Sequence, residues 1–378
     1  MLRLWADYTR RQEIIIDNPI FRIHSSFTTV LLLTFSIIIT WTDLVGQPIR
    51  CQVSGVPAYM VTSYCWIETT FLMSNAFLRP ASSAHPGLGN DYNDETSRKH
   101  YNYYQWVCFA LFFQALLCHF PKWLWERWED GLMTRIVCGL NIPLRPETEK
   151  SWRKGILSNY LVKHRIIHRN WYTLRYWFCE LLCLVNIILQ MVFMNWFFKG
   201  DFLLYGLKVL TFDDKDQEER YDHMIYVFPR VTKCIFRKFG PSGSIEKHDA
   251  ICILPQNNFS EKIYIFIWFW FIILAVLIAA LVIFRVFLIC MPRLRSFLLF
   301  SLTRMVPKEV VDSICRRVSV GDWWILYMLG RNVDPQIYKE VIADLAEKEH
   351  TVKYIIIRIP PQCCGPTNWF LKLFYAIC

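Results

Sequence analysis

The sequence lacks the short signatures by which many enzymes hold a reactive group. It has no phosphate-binding glycine loop, no H-E-x-x-H, no G-x-S-x-G and no zinc-type cysteine quartet. These absences argue against nucleotide hydrolysis, zinc proteolysis and nucleophile-elbow hydrolysis. His164 and His168 share a helix face but have no carboxylate ligand nearby, so they read as solvated histidines. Neither a metal nor a cofactor is expected. A cleavable leader is missing too, because the first 22 residues carry charge throughout and hold no apolar core before a small-residue cleavage site. The first apolar run is therefore expected to direct insertion itself.

The most informative absence is of charge from long stretches. Ile23 to Thr42, Tyr101 to Pro121 and Ile263 to Phe284 contain no Lys, Arg, Asp or Glu, and Tyr176 to Phe198 contains only Glu180. About 20 apolar residues in a helix cross the hydrocarbon layer of a bilayer, and lipid requires each such segment to satisfy its own backbone. With 54% hydrophobic and 16% aromatic residues overall, the chain reads as a membrane protein. The expected class is mainly α: a bundle of four transmembrane helices with cysteine-bearing outer loops, some β-structure in those loops, and a helical cytosolic region.

The distribution of Lys and Arg sets the expected orientation. The connection from Lys122 to Arg175 has eleven basic and five acidic residues, and the tail from Arg285 has thirteen and eight. The connection from Lys199 to Lys262 has ten of each, and that from Asp43 to His100 has only four basic residues. The expected order is a cytosolic segment 1–22, first span 23–42, outer connection 43–100, second span 101–121, cytosolic connection 122–175, third span 176–198, outer connection 199–262, fourth span 263–284 and cytosolic region 285–378. Both termini then lie inside. The basic excess reads as topology and contact with anionic lipid, not as a nucleic-acid footprint.

Turn formers Gly46, Pro48, Gly55 and Pro57 open the first outer connection, and Pro80 to Asn90 reads as loop. The second outer connection has an acidic patch, Asp213 to Asp222. The alternation of Tyr226 to Val231 then suggests a strand ahead of a turn at Gly240 to Gly243. In the tail, Val310, Ile314 and Val318, then Ile337, Val341 and Leu345, recur at helical spacing. The pattern breaks at Pro360-Pro361.

Of fourteen cysteines, Cys51, Cys65, Cys234 and Cys252 fall in the outer connections, where an oxidising compartment favours disulfides. Four cysteines allow three connectivities, and the residues alone leave open bridges within or between the connections. Ser25, Thr29, Leu32, Ser36, Thr40 and Asp43 follow steps of four and three along the first span, as do Glu180, Cys183, Asn186 and Gln190 along the third. Such a stripe lines water in an oligomeric pore or packs against another helix. Glu180 either snorkels toward Arg175 and the headgroups or marks a functional site. Asn258-Phe259-Ser260 is a glycosylation sequon close to the fourth span. Cys363-Cys364 is either a palmitate acceptor or a pair of ordinary thiols.

Tyr103-Tyr104-Gln105-Trp106-Val107, at the start of the second span, resembles the innexin signature, and Pro121 ends that span as innexins do. The resemblance extends to the Tyr226 to Cys234 and Gly240 to Ser244 segments, to Phe266-Ile267-Trp268-Phe269-Trp270, and to Asp322-Trp323-Trp324 with Leu329 to Asn332. The chain is most similar to insect innexins. The resemblance implies a gap-junction subunit at the plasma membrane. It assembles with itself or other innexins into an octameric ring and docks on a ring of the adjacent cell, so that ions and small metabolites pass. It also implies the pairing Cys51 with Cys252 and Cys65 with Cys234. The pore would be lined by Met1, Leu2, Leu4 and Trp5 of the N-terminal segment and by Ser25, Thr29, Ser36, Thr40 and Asp43 of the first span. Asp43 would stand at its outer mouth and Asp7, Glu13 and Asp17 at its inner one. A pannexin-like unpaired hemichannel releasing solutes, and a four-span adhesion or scaffold protein, are the alternatives.

Overall fold

The computed structural model describes residues 14–78, 85–89, 95–137, 140, 147–163, 167–211, 223–303 and 306–357. In chain order the first elements are α1 (Pro19–Val45), β1 (Arg50–Gln52), α2 (Ala58–Ile67), β2 (Thr70–Met73), β3 (Arg98–Tyr101) and α3 (Val107–Glu129). Then come α4 (Leu132–Val137), α5 (Glu147–Lys163), α6 (Ile167–Phe197), α7 (Tyr205–Leu210), α8 (His223–Val227), β4 (Val231–Phe239) and β5 (Ile245–Ile253). The rest are helical: α9 (Pro255–Cys290), α10 (Pro292–Leu302), α11 (Lys308–Arg317), α12 (Val320–Asn332) and α13 (Pro335–Ile357). The chain divides into two compact units, residues 1–130 with 175–286, and residues 131–174 with 287–378.

Among the described residues, α1, α3, α6 and α9 are long and apolar enough to cross a membrane. They outrun the uncharged stretches that identify them. At about 1.5 Å per residue, the 36 residues of α9 reach well beyond the roughly 30 Å hydrocarbon layer. The second span departs from expectation at both ends. Tyr101 belongs to β3 and pairs with Thr70, so the uncharged run begins in the outer sheet. Its aromatic residues are buried there against protein, which demands apolar side chains as lipid does. At the other end Pro121 lies inside α3, which continues to Glu129. A proline gives up one backbone donor but does not end a helix whose neighbours support it.

In the first unit the two outer connections fold together. The five strands form one antiparallel sheet in the order β1-β5-β4-β2-β3. The long hairpin of β4 and β5 is in register from Val231 opposite Ile253 to Phe239 opposite Ile245, closed by a turn at Gly240 to Ser244. The strand expected at Tyr226 to Val231 is shifted. Residues 223–227 are helical, Pro229 has no N–H for a ladder, and β4 starts only at Val231. Beneath the sheet, Phe198, Phe202, Tyr205, Phe228 and Tyr264 are buried, with Phe228 stacked on Tyr264 at 5.5 Å.

The second unit packs helices around Trp323 and Trp324, each 1% exposed. Ser319 caps α12, accepting from the Asp322 N–H at 3.2 Å. Ile314, Val341 and Leu345 are buried, so the helical spacing in the tail marks real core faces. The Tyr338 hydroxyl closes α13 on α12 by donating to the Leu326 carbonyl at 2.8 Å, and Lys154 of α5 meets Glu340 of α13 at 3.0 Å. Asn170 Oδ1 accepts from the Gly321 N–H at 3.1 Å, an approach so close that no side chain fits at position 321.

Candidate functional site

Two disulfides tie the outer connections to each other, Cys51 to Cys252 and Cys65 to Cys234. Cys51 and Cys252 stand opposite each other in β1 and β5, while Cys65 reaches β4 from the last turns of α2. All four are buried, and the Sγ atoms of Cys51, Cys65 and Cys252 lie within 4.8 Å of one another. Two mutually bonded pairs leave no thiolate to ligate a metal, so this cluster is a covalent staple and not a metal site.

The aromatic segment that opens the second span does the clamping below that staple. Tyr103 and Tyr104 are buried and Val107 fully so, whereas Trp106 is 61% exposed. The Tyr103 hydroxyl donates to the Val227 carbonyl at 2.8 Å, and that of Tyr104 sits 3.3 Å from the Glu68 carbonyl. The Gln105 amide donates to the Trp66 carbonyl. Tyr103 and Tyr104 thus grip the second and the first outer connection in turn. Lys99 adds an ion pair to Asp201 at 2.7 Å and lies 3.4 Å over the Tyr226 ring. His223 is buried beside Tyr205 and Tyr226, and desolvation pulls its pKa below the ordinary histidine range, with Lys208 adding to the effect.

The polar stripes of the spans turn inward. Ser25, Thr29 and Ser36 are 0%, 3% and 7% exposed. The Thr29 hydroxyl lies 2.8 Å from the Ser25 carbonyl and 3.3 Å from that of Ala115 on α3, and the Ser36 hydroxyl donates to the Cys108 carbonyl at 3.0 Å. These three residues pack α1 against α3 and do not line water. This corrects the expectation, and the reason is that small hydroxyl residues let two helices approach while satisfying themselves on nearby carbonyls. Thr40, half-buried, donates to the Ser36 carbonyl, and Asp43 is half-buried in the last turn of α1. The open face of α1 carries Thr34, Ile37, Ile38, Trp41 and Leu44 instead. Met1, Leu2, Leu4, Trp5, Asp7 and Glu13 lie outside the described residues, as do Asp213 to Asp222 and Cys363-Cys364.

The third-span stripe is also interior. Asn186 Nδ2 lies 3.3 Å from His24 Nε2, in a π-helical turn of α1 at Ile23–Phe27, and Gln190 donates to the Gln114 carbonyl at 3.1 Å. Glu180 neither snorkels nor meets Arg175. It accepts from Arg285 Nε at 2.7 Å and Nη2 at 2.8 Å, and from Asn18 Nδ2 at 2.8 Å. The Tyr176 hydroxyl accepts from the Asn18 N–H at 2.9 Å, and the Trp125 indole donates to the Ile16 carbonyl at 3.2 Å. Residues 16 to 18 are therefore moored to α3 and α6 directly, and through Glu180 to α9. Asp17 is buried and pairs with Arg22 at 2.5 Å. Asn258 is exposed in the first turn of α9, while Ser260 of its sequon is buried.

A family model for innexins matches residues 17–349. This chain is an innexin. It is 57% identical over 347 residues to Innexin inx1 of Schistocerca americana, covering 91% of this chain and 96% of that one. It is 53% identical to Innexin inx1 of Drosophila melanogaster, over 92% of this chain and 96% of the other. Innexin shaking-B of Drosophila melanogaster is 47% identical over 88% and 90%. As an innexin it is a multi-pass membrane protein and a subunit of gap-junction channels, with itself or other innexins as partners. Reading this innexin by sequence left Asn18 and Arg285 without a role. The signal was present: a lone intramembrane acid calls for a cation, and Arg285 is the first basic residue after the fourth uncharged run.

Proposed function

We propose that eight copies of this innexin, alone or mixed with other innexins, form a ring with both termini in the cytosol, and that two rings dock through their disulfide-linked outer sheets. The docked pair makes a continuous aqueous path for ions and small metabolites between adjacent cells. The observation that supports this reading best is that both outer connections share one sheet, stapled by two bridges. A docking face must keep its shape while it waits for a partner, and preorganisation of this kind lowers the cost of association. Water would be lined by the N-terminal residues Met1, Leu2, Leu4 and Trp5 and by the open face of α1, with Thr40 and Asp43 toward the outer mouth. Selectivity would then follow from pore width and mouth charge.

Junctional current between paired cells, each expressing the chain alone or with a partner innexin, tests the proposal. Coupling that survives replacement of all four outer cysteines by serine would discard it, as would a purified protein that is monomeric. The exposed Asn258 supports one alternative, since a glycan there would obstruct docking and leave an unpaired hemichannel. Solute release from single cells with no junctional current would favour that form.

A further inference from the structure

The helix after the fourth span carries a charge that the protein leaves unanswered. Arg295 of α10 is 9% exposed, yet its Nε has no hydrogen-bond partner and no carboxylate lies within ion-pair distance among the described residues. The carboxylate offered by α11, Asp312, accepts from the Ser296 hydroxyl instead. Burial weakens the hold of Arg295 on its proton relative to a free guanidinium. Its Nε is thus buried without a partner while the tip of the guanidinium keeps contact with the surroundings of the protein, and a half-desolvated cation of this kind is unfavourable without an anion beside it. It is sustained where an anion arrives from outside the chain.

The surroundings say which anion. Arg295 occupies the fourth position of α10, where a helical side chain leans toward the N-terminus, and it lies close enough to Cys315 of α11 for the two to influence each other. The first turn of α10 has no side-chain cap; Pro292 has no N–H and that of Leu294 donates to the Met291 carbonyl, which leaves the Arg293 N–H and the helix dipole to present partial positive charge. Arg293, exposed in the same turn, adds a second cation. From Ile263 to Met291 the sole charge is Arg285, which Glu180 neutralises. Those 28 residue steps cover about 42 Å, close to the roughly 40–45 Å of a bilayer with its headgroups. Val286, Phe287, Ile289 and Met291 stay exposed up to that point. One turn on from Arg293, Phe297 is 65% exposed, giving α10 a face that is cationic and apolar together, as interfacial helices have. A soluble phosphate would not need that apolar flank.

We propose that Arg295, with Arg293 and the uncapped first turn of α10, binds the phosphate of an anionic phospholipid in the leaflet at the C-terminal end of the fourth span. Only the identity of that leaflet, cytosolic here, rests on the orientation proposed above. The binding itself is read without any measurement of conductance.

Native mass spectrometry of the full-length channel, transferred from detergent into phosphatidylcholine nanodiscs with or without phosphatidic acid, tests it. The wild type should retain phosphatidic acid selectively. Arg295→Gln should lower retention about tenfold or more, the scale of one charge-assisted contact, and Arg293→Gln by less. Arg295→Lys should restore part of it. Should Arg295→Gln fail to assemble, a phosphatidic acid with a photoreactive acyl chain should label the segment around Phe297 in the wild type, well above a phosphatidylcholine probe. Equal labelling by both probes, retention unchanged in Arg295→Gln, or full displacement of the lipid by inorganic phosphate would each overturn the proposal.

Discussion

Glu180→Gln should be far more damaging than an isosteric change suggests. Glu180 and Arg285 have side chains 1% and 8% exposed and share two contacts of 2.7 and 2.8 Å. Glutamine keeps the volume and can still accept from Asn18, but it leaves the Arg285 charge buried without a counter-charge. Breaking such a pair from one side costs about 3–5 kcal/mol, whereas replacing both members with apolar residues of similar size is often neutral or stabilising. Glu180→Leu with Arg285→Met should therefore lie near wild type while each single change is severe, giving a coupling of about 6–10 kcal/mol, the sum of the two single losses. Denaturant titration in bicelles of the wild type, both singles and the double would measure it. Single changes within about 1 kcal/mol of wild type, or losses that simply add, would refute the reasoning. Because Asn18 hangs on Glu180, faster hydrogen exchange at residues 16 to 18 should accompany the loss.

The bridge from Cys51 to Cys252 closes a separation of 201 residues. Cys51→Ser with Cys252→Ser should cost about 2–5 kcal/mol and lower the melting temperature of the purified channel, and an unchanged melt would show the bridge to be dispensable. Acid should loosen the outer sheet through His223. Its folded pKa is below that of the unfolded chain, so the unfolded state binds the extra proton, and stability complete above about pH 6.5 falls as pH drops through that value. The slope, at most about 1.4 kcal/mol per pH unit, should vanish in His223→Gln, as read by hydrogen exchange of β4 and β5. Gly321→Ala would put a methyl 2.7 Å from the backbone of Asn170. The expected cost is about 1–3 kcal/mol, visible as faster limited proteolysis of the second unit and absent if α12 is free to shift.

Legibility differed from element to element for physical reasons. The tail helices were visible because apolar residues recur at helical spacing on each, with Ile314 on the buried face of α11 and Val341 and Leu345 on that of α13. Tyr101 misled because an apolar residue is required equally by lipid and by a protein core. Pro229 displaced a strand that alternation alone had placed too early.

Hydropathy is a property of contiguous residues, so the chain by itself determined that four segments are apolar enough to cross a membrane and that four cysteines stand in the first and third connections between them. Which way a stripe faces is a property of whatever packs against it, and local order holds no record of that. Ser25, Thr29 and Ser36 acquired their role from α3, and Glu180 from an arginine 105 residues away. Only the tertiary structure decided these, because burial and charge pairing are relations between segments and not attributes of one.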